Sequence, residues 1–138
     1  ASTAGVGGVS LTSAAAGSLI DFNTIVDNDA SAAGFGGIAC IGSVVVATNS
    51  ILAGNRQNGA STMASQMFGC TAQTSAVLIS TALLTFKNDT VVPYDYHLQS
   101  GSVAIDAATT STATAFDADG DARPQGVSKD QGADEYKP

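Results

Sequence analysis

The chain has 138 residues, which is enough for one domain with a continuous core. Hydrophobic residues make up 44% of it and charged residues only 12%, a balance that fits a stacked all-β protein better than a helical one. The net charge of −7 argues against a nucleic-acid or anionic-lipid partner, because both need clustered Lys and Arg. No apolar run approaches the roughly 20 residues of a membrane-spanning helix, so we expect no membrane insertion.

A repeat runs through the first half of the chain. The glycine-rich segment Gly5–Val9 recurs as Gly34–Ile38. Each copy leads into an Asn-(Thr/Ser)-Ile-aliphatic core, first at Asn23–Val26 and then at Asn49–Leu52. A loose period in the twenties, made of short β-branched strands and Gly/Asn turns, is typical of a solenoid in which each unit is one rung.

The hydrophobic pattern predicts strands at Ser18–Val26, Ser43–Leu52 and Ser75–Phe86, where Val, Ile and Thr are enriched. Loops are predicted at Asp27–Gly36, Gly54–Ser65 and Lys87–Tyr94, and one helical turn at Thr62–Phe68. The chain opens at Ala1 with neither a basic nor a hydrophobic leader segment. We therefore expect a mature or excised piece of a longer precursor.

Alignment of the units predicts columns of stacked side chains. The apolar columns are Val9, Ile38 and Phe68; Leu11, Cys40 and Cys70; and Ile25, Ile51 and Ala82, while Asn23, Asn49 and Ser80 form a polar one. Neighbours in a column of a parallel solenoid lie about 4.8 Å apart. The apolar columns would then form the core, and the polar column a ladder of hydrogen bonds along the axis.

Cys40 and Cys70 share a predicted column, so their Cα atoms are expected near 5 Å apart. That spacing falls inside the window of a disulfide, and an even number of cysteines fits an exported protein. Two buried free thiols are the alternative. A metal site at these cysteines is disfavoured because the chain has one histidine.

After residue 94 the pattern changes to a motif-rich tail. The motif residues are Leu98, Gly101, Ser102, Ala104, Ile105 and Asp106, then Asp117, Asp119, Gly120, Arg123 and Pro124, then Asp130, Gly132, Ala133, Glu135 and Tyr136. This tail resembles the carboxy-terminal signature of bacterial secreted right-handed parallel β-helix proteins of the pectate-lyase-like superfamily, as found in choice-of-anchor surface proteins. It departs from that signature at Val103, where Pro is usual, and at Gln131, where an aliphatic residue is usual.

The resemblance and the repeat together predict an all-β fold, a right-handed parallel β-helix of about four or five short rungs. Rungs would occupy residues 1–93, and residues 94–138 would supply the last rung and a cap at the carboxy end, all in a single domain. Asp106, Arg123 and Tyr136 are the cap residues that the resemblance implies.

Asp117, Asp119 and Asp121 place three carboxylates in five residues, which suggests calcium. The spacing is not that of an EF-hand, because Gly120 precedes the third acid and Ser128 stands where the last ligand would be. The alternative is a tight turn in which Gly120 takes a positive φ and Arg123 pairs with an acid. Apart from this calcium, no cofactor is expected.

Catalysis is not expected from this sequence. Among the predicted strands only Asp21 is acidic in the first rung, and the next two strands carry no acid, whereas glycosidic cleavage needs paired carboxylates. The basic residues are scattered (Arg56, Lys87, Arg123, Lys129 and Lys137). His97 beside Asp95 lacks a nucleophile motif, so a packed or surface histidine is the expected reading.

The function predicted is non-enzymatic: a structural or adhesive module of a secreted or cell-surface assembly. Its amino-terminal end has no recognisable cap, so we expect it to stack on another segment or subunit. The alternative is a fragment that binds or cleaves polysaccharide, which a row of exposed aromatics would favour. An ice-binding surface would need two rows of stacked Thr, and the alignment gives one, at Thr24, Ser50 and Thr81.

Overall fold

The computed structural model describes residues 6–31, 33–42, 44–72, 77–109 and 113–138. The strands are β1 (Val9–Thr12), β2 (Ser18–Asp21), β3 (Thr24–Val26), β4 (Asp29–Ala30), β5 (Ile38–Ile41), β6 (Val45–Thr48), β7 (Ser50–Ala53), β8 (Arg56–Gln57), β9 (Met67–Phe68), β10 (Thr71–Ala72), β11 (Val77–Leu78), β12 (Phe86–Asn88) and β13 (Asp95–Leu98). The helical turn α1 spans Met63–Gln66, inside the predicted segment. No helix within these ranges is long and apolar enough to cross a membrane.

The strands form stacked parallel sheets that repeat along the chain. Three sheets have the orders β1–β5–β9, β2–β6–β10 and β3–β7–β11, and β4 pairs with β8. Each three-stranded sheet takes one strand from each of three successive units, which we call the first, second and third unit. The fold is therefore all-β with parallel pairing between units. In contrast, β12 and β13 form an antiparallel pair.

Two of the predicted strands are each divided by a corner. Phe22 (φ 52°) separates β2 from β3, and Asn49 (φ 44°) separates β6 from β7. Positive φ interrupts an extended strand and turns the chain from the second sheet into the third. Asn tolerates this conformation well, whereas Phe22 is held there by burial and by the Arg123 guanidinium 4.5 Å from its ring centroid. The third predicted strand yields β11 and the start of β12, and its first residues lie outside the described ranges.

Two apolar clusters lie on opposite faces of the third sheet. We call the first the inner cluster, formed by the residues Ile38, Cys40, Val45, Ala47, Leu52 and Val77. The second is the outer cluster, formed by Ile51, Ala53, Phe86, Leu98 and Ala104. Neighbouring residues of β7 alternate between the two, so every residue of this strand is buried. The second cluster requires a cover over the outer face of the sheet, and β12, β13 and the following chain provide it.

The carboxy-terminal segment, residues 130–138, lies along the side of the first two units. The prediction that residues 94–138 cap the end of the stack is therefore corrected for this segment. Gly132 N donates to Asn49 O at 2.8 Å, and Ala133 N donates to Thr24 Oγ1 at 2.9 Å. Both acceptors belong to the first and second units and not to the last one. The segment takes this course because the Ile51 side chain belongs to the outer cluster and needs a cover, which Gly132 and its neighbours provide.

The register also corrects the predicted polar column. Thr24 is opposite Ile51, so Asn23 lies beside Ser50 and not beside Asn49. Val77 pairs with Ser50, which places Ser80 beyond the end of β11. The alignment matched Asn49 with Asn23, but the corner residue equivalent to Asn49 is Phe22, one position earlier, so every partner in this column moves by one residue.

The predicted apolar columns are confirmed in part. Val9 and Ile38 are opposite each other, as predicted, but Met67 and not Phe68 continues their column. Leu11 faces Cys40, also as predicted. Ile25 lies opposite Leu52 and not Ile51, the same one-residue shift that moves the polar column.

A different amide ladder connects the units, at the turn after the third sheet. Asn28 Nδ2 donates to Asn55 Oδ1 at 3.0 Å, and Asn55 Nδ2 donates to Gln66 Oε1 at 3.0 Å. Asn55 is fully buried and its Nδ2 also donates to Ile25 O at 2.8 Å. The amides of Asn55 and Gln66 thus each satisfy backbone groups of the preceding unit, whereas Asn28 Nδ2 donates to Val26 O in its own unit.

Asn55→Ala is expected to lower the free energy of unfolding by about 1–3 kcal/mol, because it leaves buried amide and carbonyl groups without partners. Gln99→Ala, which removes an exposed amide, is the control and should cost less. Urea unfolding followed by circular dichroism measures both. Equal stability of the two variants would show that the ladder does not contribute.

The predicted disulfide is present between Cys40 and Cys70, with a Cα–Cα distance of 5.1 Å. Gly69 (φ 71°) turns the chain directly after β9, where an added Cβ would collide with the Cys40 carbonyl oxygen. The bond joins the second unit to the third on the side of the first sheet. A disulfide is typical of an oxidising environment.

Candidate functional site

His97 is held between two carboxylates at the outer end of β13. Asp95 and His97 are two residues apart on this strand, so their side chains project from the same face. Asp95 Oδ1 makes a short hydrogen bond with His97 Nδ1, and Asp119 Oδ2 lies 2.6 Å from His97 Nε2. The imidazole therefore uses both of its nitrogen atoms, and it is more than the packed or surface residue expected from the sequence.

The acidic turn that carries Asp119 is built around Asp117. Asp117 Oδ1 accepts from Asp119 N at 2.9 Å and from Asp121 N at 2.7 Å, and its Oδ2 accepts from Glu135 N at 3.1 Å. Burial would raise the pKa of Asp117, but these backbone donors outweigh it and lower the pKa. Gly120 takes a positive φ of 88°, as the tight-turn alternative requires.

The three carboxylates of this turn do not share one site, which corrects the predicted calcium grouping. Asp117 is engaged by backbone amides, Asp119 by His97, and Asp121 by Lys137 Nζ at 2.5 Å. Each thus has a partner within the protein. Arg123 pairs with a more distant acid, Glu135.

Asp134 completes the group around His97. Its Oδ2 accepts a hydrogen bond from Leu98 N on β13 at 2.6 Å. One ligand atom from each of His97, Asp119 and Asp134 lies within 4.8 Å of the others. A cleft of about 210 Å³ opens beside them, with Lys87, Tyr136 and Lys137 also on its wall.

The electrostatics of the group follow from this geometry. The hydrogen bonds to Asp95 and then to Asp119 raise the pKa of His97 above 6.5, and burial opposes the shift only in part. The hydrogen bond from His97 lowers the pKa of Asp95. The imidazolium thus links a strand, a turn and the carboxy-terminal segment.

We expect the His97 ring signals to titrate in NMR with a pKa above 6.5. Because the pKa of His97 is higher in the folded state, protonation of His97 stabilises the fold. This stabilisation should be complete below the unfolded-state pKa. It should be lost as the pH rises through the folded-state pKa. Asp95→Asn removes the largest cause of the raised pKa and should lower the pKa of His97. Asp89→Asn, on the loop between β12 and β13, should leave the pKa of His97 unchanged. A wild-type pKa at or below 6.5 would contradict this assignment.

The three residues assigned to the cap meet around the buried acids Asp130 and Glu135, although only Arg123 of the three is itself buried. Arg123 Nη1 contacts Glu135 Oε2 at 3.1 Å, and both side chains are at most 1% exposed. Asp130 Oδ1 accepts from Asp106 N at 2.7 Å and its Oδ2 from Tyr136 N at 2.6 Å. Burial is the main cause that raises the pKa of Asp130. The network fixes the course of the tail and thereby the position of Asp134.

The first unit presents a second candidate, an open edge of the stacked sheets. Leu11, Ile20 and Ile25 pack on the inner cluster but are only half-buried. Their counterparts in the second unit, Cys40, Ala47 and Leu52, are buried. Within the described part of the chain, β1, β2 and β3 each have one neighbouring strand.

A third candidate is a polar cleft of about 320 Å³ beside an exposed tyrosine. Tyr94, 54% exposed, stacks on Tyr96 with ring centroids 5.9 Å apart. Asp27, Arg56 and Asp89 also line this cleft. The tyrosines share one cleft wall and do not form a row along the strands.

A scan of protein-family models, a search of curated proteins and a search of solved structures each returned no match to this chain. The resemblance of the tail to parallel β-helix proteins therefore rests on its own motif residues.

Sequence reasoning named Asp95 beside His97 but missed the other two acids near the ring. Asp119 and Asp134 are distant from it along the chain, and no spacing in the sequence relates the three. The one available signal was Asp95-x-His97 in a strand, since alternate residues share a face. Convergence of the remaining acids depends on the tail folding back along the third sheet.

Proposed function

We propose that the protein is a non-enzymatic structural or adhesive module of a secreted assembly, and that it associates through the open edge of its first unit. The observation that carries this proposal is the half-exposed interior of that unit, formed by Leu11, Ile20 and Ile25. An apolar interior at an open sheet edge favours addition of further strands. The disulfide supports the placement in an oxidising compartment.

We further infer that the stacked sheets are turns of a right-handed parallel β-helix related to the pectate-lyase-like superfamily. The parallel pairing between successive units supports this inference, as do the motif residues of the tail. On this interpretation the first unit is an internal rung whose neighbour comes from outside the described chain.

The occupant that we propose for the edge is a second copy of this chain. The opposite edge, formed by β9, β10 and β11, presents strands of the same three sheets in the same direction. Its residues Met67, Cys70 and Ile79 pack on the inner cluster and are half-buried as well. A contact between unlike edges does not close on itself, so it would produce a series of oligomers.

The alternation of hydrogen bonds along β1 identifies a substitution that tests the edge. Gly7, Val9 and Ser13 all direct their N–H groups towards the second unit. In a parallel ladder the intervening Ser10 directs its own N–H to the open side. Ser10→Pro therefore removes a donor from the free edge and leaves the donors to β5 in place, while Ser10→Ala keeps the N–H as a control.

Sedimentation velocity in non-reducing buffer, over a range of protein concentrations, measures the association. We expect species larger than the 13.6 kDa monomer that grow with concentration, that persist in Ser10→Ala and that are lost in Ser10→Pro. Circular dichroism checks that both variants are folded. A monomer at every concentration, or oligomers unaffected by Ser10→Pro, would overturn the proposal.

The tyrosine cleft favours a second function, binding of a polysaccharide. Exposed Tyr94 offers a ring on which a sugar can stack, beside polar groups that can bond its hydroxyls. Arg56 lies 3.8 Å from Asp27 and 4.0 Å from Asp29, so an uncharged glycan fits better than a uronate.

Affinity electrophoresis in neutral polysaccharides should show retardation that is lost in Tyr94→Ala and kept in Phe116→Ala, a second exposed aromatic. Absence of retardation would remove this candidate.

A further inference from the structure

The group around His97 has the composition of a metal site. We propose that His97 Nε2 and one carboxylate oxygen each of Asp119 and Asp134 bind a single divalent transition-metal ion, for which Zn²⁺ is the probe. These atoms lie within 4.8 Å of one another. Ligands around a tetrahedral ion with bonds of roughly 2.1 Å are separated by roughly 3.4 Å. Small rotations of half-exposed side chains are enough to reach that geometry.

Each ligand is oriented by a group that is not itself a ligand. The Asp95 carboxylate holds His97 Nδ1 and leaves Nε2 directed at Asp119, with a ligand atom of Asp134 within 4.8 Å. This is the carboxylate–histidine arrangement that orients imidazole ligands in metal sites. Leu98 N fixes Asp134 through Oδ2, and the turn around Asp117 fixes the backbone of Asp119. The side chains are therefore positioned before an ion arrives.

Charge favours a cation at this position. Asp95, Asp119 and Asp134 surround one imidazole, and the nearby Asp121 is already paired with Lys137. Lys87, on the wall of the cleft, offsets one of these charges. A divalent ion would neutralise the excess and would replace the hydrogen bond between His97 and Asp119 with two coordinate bonds.

The donor set selects the class of ion. Calcium and magnesium take oxygen ligands, and calcium needs six to eight of them. One imidazole nitrogen with two carboxylates suits zinc or a similar transition ion. The open cleft leaves space for water in the remaining coordination positions. A bound ion would join β13, the acidic turn and the carboxy-terminal segment, so it would stabilise the fold by mass action.

The experiment uses the whole chain, first stripped with chelator and then titrated with Zn²⁺ by calorimetry. We expect one site, with affinity for Ca²⁺ weaker by at least about tenfold because calcium prefers an all-oxygen site. His97→Gln removes a ligand and should abolish measurable binding. Asp95→Asn changes only the orienting group and should weaken binding by about 10–100-fold. Asp89→Asn, which removes one carboxylate outside this cleft, is the control and should bind like the wild type.

A direct readout does not depend on any variant folding. The chain has a single histidine, so ¹⁵N NMR of its ring reports on His97 alone. Zn²⁺ should shift the Nε2 resonance and leave Nδ1 bonded to Asp95. No saturable zinc binding, binding that survives in His97→Gln, or an Nε2 resonance unchanged by zinc would each overturn the proposal. The variants used here leave β1 unchanged, so a failure of zinc binding would not by itself overturn association through the first unit.

Discussion

Arg123→Met is expected to lower the free energy of unfolding by about 3–5 kcal/mol, because it leaves the buried carboxylate of Glu135 without its counter-charge. The guanidinium also donates to Asp130 O at 3.0 Å and to Gly132 O at 2.8 Å, and it lies over the ring of Phe22. Losing it removes one of the links between the tail and the corner of the first unit. Urea unfolding followed by circular dichroism is the measurement.

Two further variants compare the contribution of this buried ion pair to stability with that of an exposed one. Arg56→Met removes an arginine whose side chain is 40% exposed and should cost less than about 1 kcal/mol. The double variant Arg123→Met/Glu135→Leu removes both buried charges and should recover part of the loss. Recovery should be incomplete, because Glu135 also accepts from Gln125 N and Asp130 N. If Arg123→Met cost no more than Arg56→Met, the tail would not depend on this pair.

Removing the disulfide with Cys40→Ala/Cys70→Ala is expected to lower the free energy of unfolding by about 3–4 kcal/mol. The two cysteines are 30 residues apart, so the bond restricts a substantial loop of the unfolded chain. Changing both avoids a lone thiol beside the core. Urea unfolding with and without reductant compares the wild type and the variant.

Reductant provides the internal control for this prediction. It should destabilise the wild type towards the level of the variant and should leave the variant unchanged. Mass spectrometry after alkylation of the unfolded, unreduced protein should find no modified cysteine. Two alkylated cysteines would instead favour the alternative of free thiols in one column.

The sequence alone determined the repeated units, their parallel stacking and the disulfide. Gly-rich turns and β-branched runs recur at similar intervals, and strands separated by one repeat pair with each other. Val9 opposite Ile38 and Leu11 opposite Cys40 follow from that rule. Local pattern suffices here because each unit contacts mainly its neighbours.

Only the tertiary structure decided the register of the third sheet, the path of the tail and the surroundings of His97. The equivalent corner residues are Phe22 and Asn49, but the sequence pattern matched Asn49 with the like residue Asn23, and a shift of one residue replaces every partner in a column. Ile51 and Ala53 gave no sign in the sequence of which segment would cover them. Because the tail covers that face and not the end of the stack, Asp119 and Asp134 reach His97 from distant parts of the chain. Such convergence depends on long-range packing, which neither periodicity nor motif spacing contains.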